Sequence, residues 1–487
     1  IAENNGTTAA PSPFPAQFPK PDFLDILTVV HVWERLKVHL LALDAARPGR
    51  LEPRITELVA SNLAFPLLFD KVLYALHYAG PQIPESVLHM LNITDVYGDI
   101  GHADRRPVAR LGYHATLDVD AAAITTIPTS FLEQLQLPAE RFVQDVMRGE
   151  AILLNIFETF LGRIGLIVIP IEDRAIYVDR ARTLAAARMG LAEAQRRGAQ
   201  TVALTGMIPS ATNYGHDLLG APGPRLTTGH ATTAACFVMM VTRILREAGR
   251  SIEDEDLALL GLGSIGTAIL TLLLTRLPHP RVLRLCELPG RMGHLERLQD
   301  TLLRECGYRG ELDLVAVTEA RAPDRVHAAS LLLSATSTAN VIDVNRLRPG
   351  ALIVDDSAPH CFDPRQALRR FQQRRDILFT EAGAMRSDRA VREISDLRFS
   401  TGWDHKVRAA LRLLHPQPDT IMGCVFSSIL TERFDDVPAI IGTPTRAALD
   451  AHYARLVALG FEGASLYCQD HVLDPKLIEM FRSRFGG

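Results

Sequence analysis

The segment with the clearest chemical pattern is Gly-Leu-Gly-Ser-Ile-Gly at 261–266, which fits G-x-G-x-x-G. It follows an apolar run typical of a strand and opens a run typical of a helix, the setting in which this pattern binds a pyrophosphate. Gly261 would permit the tight turn, Gly263 would let the backbone approach the phosphates, and Gly266 would let helix pack on strand. The loop residues predicted to line this dinucleotide site are Gly261, Gly263, Ser264, Ile265 and Gly266.

A carboxylate further along the chain bears on which dinucleotide binds. Glu287 lies about 20 residues beyond Gly266, at the end of the next predicted strand. A carboxylate there accepts hydrogen bonds from ribose hydroxyls and repels a 2′-phosphate, which favours NADH over NADPH. Because Arg284 and Arg291 could reverse that preference, the sequence predicts NADPH or NADH.

The end of a later strand carries small polar residues, Ser-Ala-Thr-Ser at 334–337. Such residues commonly border the nicotinamide side of this kind of fold, which makes Ala335 and Thr336 further candidates for cofactor binding. An ordinary strand-to-loop turn explains them equally well.

The residues that other nicotinamide-dependent enzymes need limit the kinds of reaction that this chain could catalyse. No tyrosine is followed by lysine four positions later, so the acid pair of short-chain dehydrogenases is absent, and no lysine lies between Lys71 and Lys406 to centre an amino-acid dehydrogenase site. No Cys/His cluster has the spacing of a metal site, so we predict no metal. Covalent catalysis by a thiol remains, in which a thiolate forms a thioester with a carboxyl-level substrate and hydride then releases an aldehyde.

Cys424 is the preferred nucleophile among the six cysteines. It follows Gly423, which would let a substrate approach closely, in a segment predicted to be a helix over 420–434. Asp419 or Thr420 would cap that helix, and a helix N-terminus lowers a thiol pKa, although Cys424 would lie nearer the second turn. Spacing alone favours a small buried apolar side chain instead, and both interpretations stay open at this point.

The amino-acid composition excludes several classes of protein. The 487 residues are 47% apolar and 22% charged, which excludes wholesale disorder and a fibrous repeat. The formal net charge of −4 argues against nucleic-acid and membrane-surface partners. The uncharged run between Asp256 and Arg276 has the length of a membrane span but contains the glycine-rich loop, so we predict no integral membrane segment. Dispersed cysteines and the lack of a visible leader predict free thiols in the cytoplasm.

Hydrophobic periodicity predicts an α/β protein with three regions after a proline-rich linker at 1–21. Residues 22–150 are expected to be mainly helical, with no recognisable role. Residues 246–402 alternate short apolar strands with helices, which predicts a Rossmann-type doubly wound parallel sheet that binds the dinucleotide. Residues 151–245 and 403–487 would together form an α/β substrate domain. The linker and the missing initiator methionine suggest a module of a larger multidomain chain.

Long helices would position the reacting groups. One is predicted over 227–249, capped by Thr227 or Thr228 and ended by Gly249. The helices predicted near the C-terminus cover 403–414, 420–434 and 446–459.

Four segments in fixed order carry a resemblance to a known family. They are VALTGMIPSA (202–211), RLTTGHATTAA (225–235) leading into the glycine-rich loop, LIVDDSAP (352–359) and PDTIMGCVFSSILTERF (418–434). From about Gly165 to the C-terminus, the sequence resembles the long-chain acyl-acyl carrier protein reductases of cyanobacteria.

This resemblance implies reduction of fatty acyl thioesters to aldehydes with NADPH through an acyl-cysteine, with Cys424 matching the nucleophile. The Thr-Thr-Gly signature matches 227–229, at the junction of the substrate and nucleotide domains. The chain departs from the family in having His230 and Thr232, where the family has asparagine and, two positions later, histidine. Glu287 also stands where the family has a residue compatible with NADPH.

The resulting hypothesis is a thioester reductase whose substrate arrives on acyl carrier protein or coenzyme A. Cys424 would attack the carbonyl, and backbone N–H groups, Thr228 or His230 would stabilise the oxyanion. His230 could also deprotonate the thiol, or it could be a packing residue at a helix start. Two alternatives remain: a non-covalent NAD(P)-dependent dehydrogenase of a ketone or imine, and a non-catalytic dinucleotide-binding domain.

Overall fold

The computed structural model describes residues 118–487 apart from 221–222, 319–320, 390, 396–416, 418–419 and 470. Its contacts group Val119–Gly487 into one unit. The linker predicted at 1–21, most of the region predicted as helical at 22–150 and the helix predicted over 403–414 lie outside the described residues.

Strands and helices alternate along the described chain. The strands are β1 (Ala121–Ile127), β2 (Ile152–Thr159), β3 (Gly162–Glu172), β4 (Thr201–Leu204), β5 (Arg225–Thr227), β6 (Asp256–Leu260), β7 (Val282–Glu287), β8 (Glu311–Ala316), β9 (Leu331–Ser334), β10 (Ala351–Asp355), β11 (Ile377–Glu381), β12 (Ala384–Arg386), β13 (Arg392–Ser395), β14 (Thr420–Met422), β15 (Glu462–Gly463), β16 (Tyr467–Cys468) and β17 (His471–Val472). The α-helices are α1 (Thr129–Leu135), α2 (Ala139–Arg141), α3 (Arg180–Arg196), α4 (Ile208–Ala211), α5 (His230–Ala248), α6 (Ser264–Arg276), α7 (Met292–Glu305), α8 (Asp324–His327), α9 (Pro364–Arg374), α10 (Gly423–Arg433), α11 (Arg446–Ala458) and α12 (Pro475–Phe485). Within the described ranges, none of these helices has both the length and the apolar character to cross a membrane.

Strands β6 to β11 form the sheet that carries the glycine-rich loop, and this sheet is called the nucleotide sheet below. All neighbours are parallel, in the order β11-β10-β9-β6-β7-β8. Strands β9 and β10 are buried at every residue, as expected for parallel strands covered on both faces, which explains their uninterrupted apolar sequences. The order is that of a Rossmann-type doubly wound sheet, so the predicted fold class is confirmed. The strand order reverses between β6 and β9, where such sheets bind their ligands.

The other large sheet has the order β13-β2-β3-β1-β4-β5, antiparallel from β13 to β3 and parallel from β3 to β5. Its strand β1 falls inside the 22–150 range that the sequence analysis assigned to a mainly helical region. The run Ala121-Ala122-Ala123 has high helix propensity, but all three residues are fully buried between two parallel neighbours. Tertiary burial therefore outweighs local propensity, and the α/β part of the chain begins earlier than expected.

Helices α10 and α5 lie between the two sheets. Helix α10 packs on strands β1, β3 and β4 of the sheet that contains β1. Helix α5 packs on α10, on strands β10 and β11 of the nucleotide sheet, and on helix α6. Helix α5 is buried along almost its whole length, and Gly249 ends it in the left-handed conformation at φ 68°, as predicted. The residues at the starts of these two helices therefore meet between the sheets.

Candidate functional site

The three glycines of the loop after β6 differ in what surrounds them. Gly261 has φ 83°, and a Cβ there would lie 2.5 Å from the Ala335 carbonyl oxygen. A Cβ on Gly266 would lie 1.9 Å from the Gly261 carbonyl oxygen, so only glycine lets α6 pack this closely. A Cβ on Gly263 would meet nothing within 4 Å. This open space at the start of α6 is where a pyrophosphate would lie, so the loop fits a dinucleotide.

Glu287 is anchored at the rim of this loop. Its two carboxylate oxygens accept hydrogen bonds from the backbone N–H groups of Leu262 and Leu288, each at 2.9 Å. Arg291 lies 3.2 Å from the same carboxylate, whereas Arg284 lies mid-strand, 3.6 Å from Asp313. Of the two arginines that could reverse a preference for NADH, only Arg291 is near the Glu287 carboxylate.

Ala335 and Thr336, the residues predicted to border the nicotinamide side, also lie beside the glycine-rich loop. The Ala335 N–H donates to the Leu260 carbonyl at 2.9 Å, and the Thr336 N–H donates to the Ser357 hydroxyl at 3.0 Å. A cleft opens here, lined by Leu260, Gly261, Cys286, Glu287, Leu288, Val317, Thr318, Thr336, Thr338 and Val341. The structure thus brings Gly261, Glu287 and Thr336 together.

Cys424 is the second residue of α10, in the first turn of the helix. Of the two predicted caps of this helix, Asp419 lies outside the described residues, and the prediction for Thr420 is wrong, because Thr420–Met422 is strand β14, which pairs with β12. The Gly423 N–H donates to the carbonyl of Gly383 at 2.9 Å, immediately after the nucleotide-sheet strand β11. The half-buried Cys424 thiol therefore lies at the start of a helix whose first residue is hydrogen-bonded to the carboxyl edge of the nucleotide sheet.

The Thr-Thr-Gly-His segment packs directly against Cys424. The prediction that Thr227 or Thr228 caps α5 is wrong, because Thr227 ends β5 and Gly229, at φ 72°, precedes the helix. A Cβ on Gly229 would lie 3.2 Å from both the Cα and the carbonyl oxygen of Cys424, so only glycine fits there. Within the described residues, the buried Thr228 hydroxyl has no hydrogen-bond partner, which leaves it available to a ligand.

His230 connects this segment to the nucleotide loop. Its Nδ1 lies 2.9 Å from the Ser264 hydroxyl at the start of α6. Burial lowers the pKa of His230 to about 4, so the imidazole is neutral near pH 7 and a weak proton acceptor. Its position suits hydrogen bonding between the two loops better than deprotonation of a thiol.

A second histidine near α5 escaped the sequence analysis. His452 on α11 is fully buried, its Nδ1 lies 2.8 Å from the Thr232 hydroxyl and its Nε2 lies 2.9 Å from the Pro438 carbonyl. Because a carbonyl accepts only from a protonated nitrogen, Nδ1 accepts from Thr232. An imidazole therefore reaches the neighbourhood of Thr232 from a distant helix, which no local motif indicates.

Burial and one nearby carboxylate determine the pKa of the Cys424 thiol. Burial, followed by the charge of Asp356, raises the pKa of Cys424 to about 12, although the N–H groups at the helix start oppose this shift. Asp356, which was not predicted as a site residue, follows β10 and lies at the carboxyl edge of the sheet with Gly261 and Thr336. Its position directly after a predicted buried strand is the signal that could have found it.

One histidine among the described residues lies close to a carboxylate and a thiol. Ligand atoms of His360, Glu381 and Cys468 all lie within 4.8 Å of one another. His360, however, already pairs through Nδ1 with Asp355 at 2.9 Å and through Nε2 with Glu381 at 3.3 Å. Burial alone would lower the pKa of His360, but these two carboxylates raise it to about 10, so an ion-pair network accounts for the group.

Comparisons with known proteins identify no family. No family model matches the chain, and no curated protein is significantly similar to it. Among solved structures, the malic enzyme of Entamoeba histolytica is 12% identical, with a TM-score of 0.32, over 91% of this chain and 97% of its own. The L-tryptophan dehydrogenase of Nostoc punctiforme is 12% identical, with a TM-score of 0.28, over 55% of this chain and 71% of its own.

One polypeptide of the dipicolinate synthase of Bacillus halodurans is 10% identical, with a TM-score of 0.25. The match covers 37% of this chain and 58% of that protein. At these identities and TM-scores, activity has to be argued from the chain's own residues.

Proposed function

We propose that this protein is an NAD(P)H-dependent reductase that converts an acyl thioester to an aldehyde through an acyl group on Cys424. The observation that carries the proposal is the position of this thiol. Cys424 lies in the first turn of α10, against Gly229 of the Thr-Thr-Gly-His segment and beside the carboxyl edge of a dinucleotide-type sheet. A nucleophile at that edge is where an acyl group and a nicotinamide would meet.

The chain's own residues supply the other requirements of acyl transfer. When the sulfur attacks the carbonyl carbon, negative charge develops on the carbonyl oxygen and needs hydrogen-bond donors. The unpartnered Thr228 hydroxyl and the backbone N–H groups of Cys424 and Val425 at the start of α10 are the candidate donors. The displaced carrier thiol leaves, and the acyl group stays on the enzyme as a thioester.

A bound NAD(P)H would supply the hydride that converts this thioester to the aldehyde. Gly263 leaves space for its pyrophosphate, and Ser264 and Ile265 place the N-terminus of α6 beside that space. Glu287 would accept hydrogen bonds from the adenosine ribose. Ala335 and Thr336 would border the nicotinamide side.

The test is intact-mass analysis of the protein mixed with acetyl-, octanoyl- or palmitoyl-coenzyme A, or palmitoyl-acyl carrier protein, without a reductant. We expect an acyl adduct that maps to Cys424 and disappears on addition of NADH or NADPH, with release of the aldehyde. If no thioester leaves an adduct but ketones or imines are reduced, the chain is a non-covalent dehydrogenase. If nothing is turned over, it is a dinucleotide-binding domain only.

Cofactor preference should depend on Glu287. We expect NADH to bind more tightly than NADPH, and Glu287→Gln to improve NADPH binding about tenfold by removing the charge that repels a 2′-phosphate. Glutamine keeps an oxygen for the Leu262 N–H, so the loop should be preserved. Titration calorimetry with both cofactors measures the change, and Glu296→Gln on the exposed face of α7 is the matched control. Unchanged NADPH affinity in Glu287→Gln would show that this carboxylate does not face the 2′ position.

His230 should not act as the base for the thiol. Because burial lowers its pKa to about 4, it stays neutral from about pH 6 to 8 and contributes no ionisation there. His230→Gln should therefore keep the shape of the pH–rate profile, with a rate loss of about tenfold or less from the altered contact with Ser264. Disappearance of an ionisation from the profile of this variant would instead identify His230 as the base.

A further inference from the structure

Asp356 lies near the hydrogen bond between Gly383 and Gly423 at which α10 begins. Its backbone N–H donates to the Ser334 carbonyl at 2.8 Å, which holds it against the end of β9. Its Oδ1 lies 3.9 Å from where a Cβ would stand on Gly383, and the Gly383 carbonyl accepts the Gly423 N–H. The carboxylate therefore lies beside Gly383, the residue that accepts a hydrogen bond from the first residue of the helix that carries Cys424.

The surroundings of this carboxylate set it apart. Within the described residues, burial and the carboxylates Asp355 and Glu381 are what shift the pKa of Asp356, and no arginine, lysine or hydrogen-bond donor offsets them. Its charge is the largest influence on the pKa of Cys424 after burial, and it also raises the pKa values of Cys236 and Tyr467. Cys236 is sealed in α5, where its thiol donates to the carbonyls that follow β11, so Cys424 is the accessible thiol beside this charge.

We propose that Asp356 is the proton acceptor and donor for Cys424 in thioester reduction, an inference that rests on the proposed function. In acylation, the S–H bond of Cys424 breaks and its proton passes to the carboxylate. The sulfur bonds to the acyl carbon, the carbon–sulfur bond to the carrier breaks, and Asp356 returns the proton to the departing thiolate. In reduction, a bound NAD(P)H would supply hydride to the same carbon, and the Cys424–acyl bond would break. Asp356, again a carboxylate, then takes a proton from solvent and passes it to the Cys424 thiolate, which restores both the thiol and the carboxylate.

The charges around Asp356 match this role. Burial, followed by the charges of Asp355 and Glu381, raises the pKa of Asp356 to about 7. His360, which pairs with both of those carboxylates, has its pKa raised to about 10 and stays cationic, and Tyr467 stays neutral. Asp356 is charged and able to accept a proton above about pH 7 and is protonated below it. Acylation should therefore slow as the pH falls through about 7, which suits a group that must both take and give a proton near neutrality.

The test compares two reactions of Cys424 in the full chain. One is single-turnover acylation by the thioester that gives the wild-type adduct, followed by intact mass without a reductant. The other is alkylation by iodoacetamide, which reports the thiolate fraction only. The variants are Asp356→Asn, Asp356→Glu and the exposed control Asp388→Asn. Thermal melting of each variant shows whether the fold is retained.

We expect Asp356→Asn to acylate about 100-fold more slowly and to lose the pH dependence near 7. Its alkylation should be as fast as in the wild type or faster, because removal of a negative charge lowers the Cys424 pKa. Asp356→Glu should recover part of the acylation rate, and Asp388→Asn should match the wild type.

Wild-type acylation rates in Asp356→Asn would overturn the inference and leave the proposed function standing. Equal slowing of acylation and alkylation would also overturn it, because that result indicates a displaced thiol rather than a lost proton acceptor. A wild-type protein that takes up no acyl group from any thioester would remove the proposed function, and this inference with it.

Discussion

Cys424→Ser should abolish thioester reduction, with a loss of about 1,000-fold or more, while dinucleotide binding and thermal stability stay at wild-type values. Serine has nearly the same size, but its hydroxyl loses a proton far less readily than a thiol and is a far weaker nucleophile. Absorbance decay of NADH or NADPH with an acyl thioester measures turnover, and intact mass measures loss of the adduct.

Cys306→Ser is the matched control, because Cys306 is also partly exposed but lies at the end of α7. It should reduce thioesters at the wild-type rate. Retained thioester reduction in Cys424→Ser would refute the covalent route and favour a non-covalent dehydrogenase.

Gly263→Val should weaken dinucleotide binding about 100-fold without changing the melting temperature. Nothing lies within 4 Å of a Cβ at this position, so the fold has room for the side chain, but the pyrophosphate would need the same space. Titration calorimetry with NADH and NADPH measures affinity, and calorimetric melting measures stability. Adduct formation on Cys424 without reductant should persist, because acylation does not need the cofactor.

Two further glycine variants separate binding from folding. Gly223→Val also enters open space, at a position distant in sequence from the loop, and should bind the cofactor normally. Gly261→Val should lower stability by about 2–4 kcal/mol, because φ 83° disfavours a branched residue and its Cβ would clash with the Ala335 carbonyl. Wild-type cofactor affinity in Gly263→Val would show that the pyrophosphate does not lie at the start of α6.

The nucleotide sheet was predictable because its signals are local. Short, wholly apolar strands between helices indicate a parallel sheet, and the G-x-G-x-x-G spacing places the loop after β6. Strand β1 was not predictable in this way, because Ala121-Ala122-Ala123 favours a helix until neighbours on both sides bury it. The start of α10 was misplaced for a similar reason, since pairing with β12 draws Thr420–Met422 into a strand.

In the candidate site too, some residues could be predicted from the local sequence and others could not. Cys424 stood out by residue type and by resemblance, but the segments that surround it come from distant parts of the chain. Asp356 and Gly383 approach the start of α10 only because β10 and β11 end at one edge of the sheet, and His452 reaches Thr232 from α11. Contacts of this range depend on tertiary packing, which no local spacing encodes.

Helix α5 ties both sheets into one apolar interior, in which Ala121 and Phe157 of one sheet belong to the same cluster as Leu257 and Ile353 of the other. Cutting the chain on either side of this helix would expose its buried face to water, so we expect neither sheet to be stable when it is excised alone. Any shortened version of the protein should therefore keep the segments that carry Cys424 and the glycine-rich loop together.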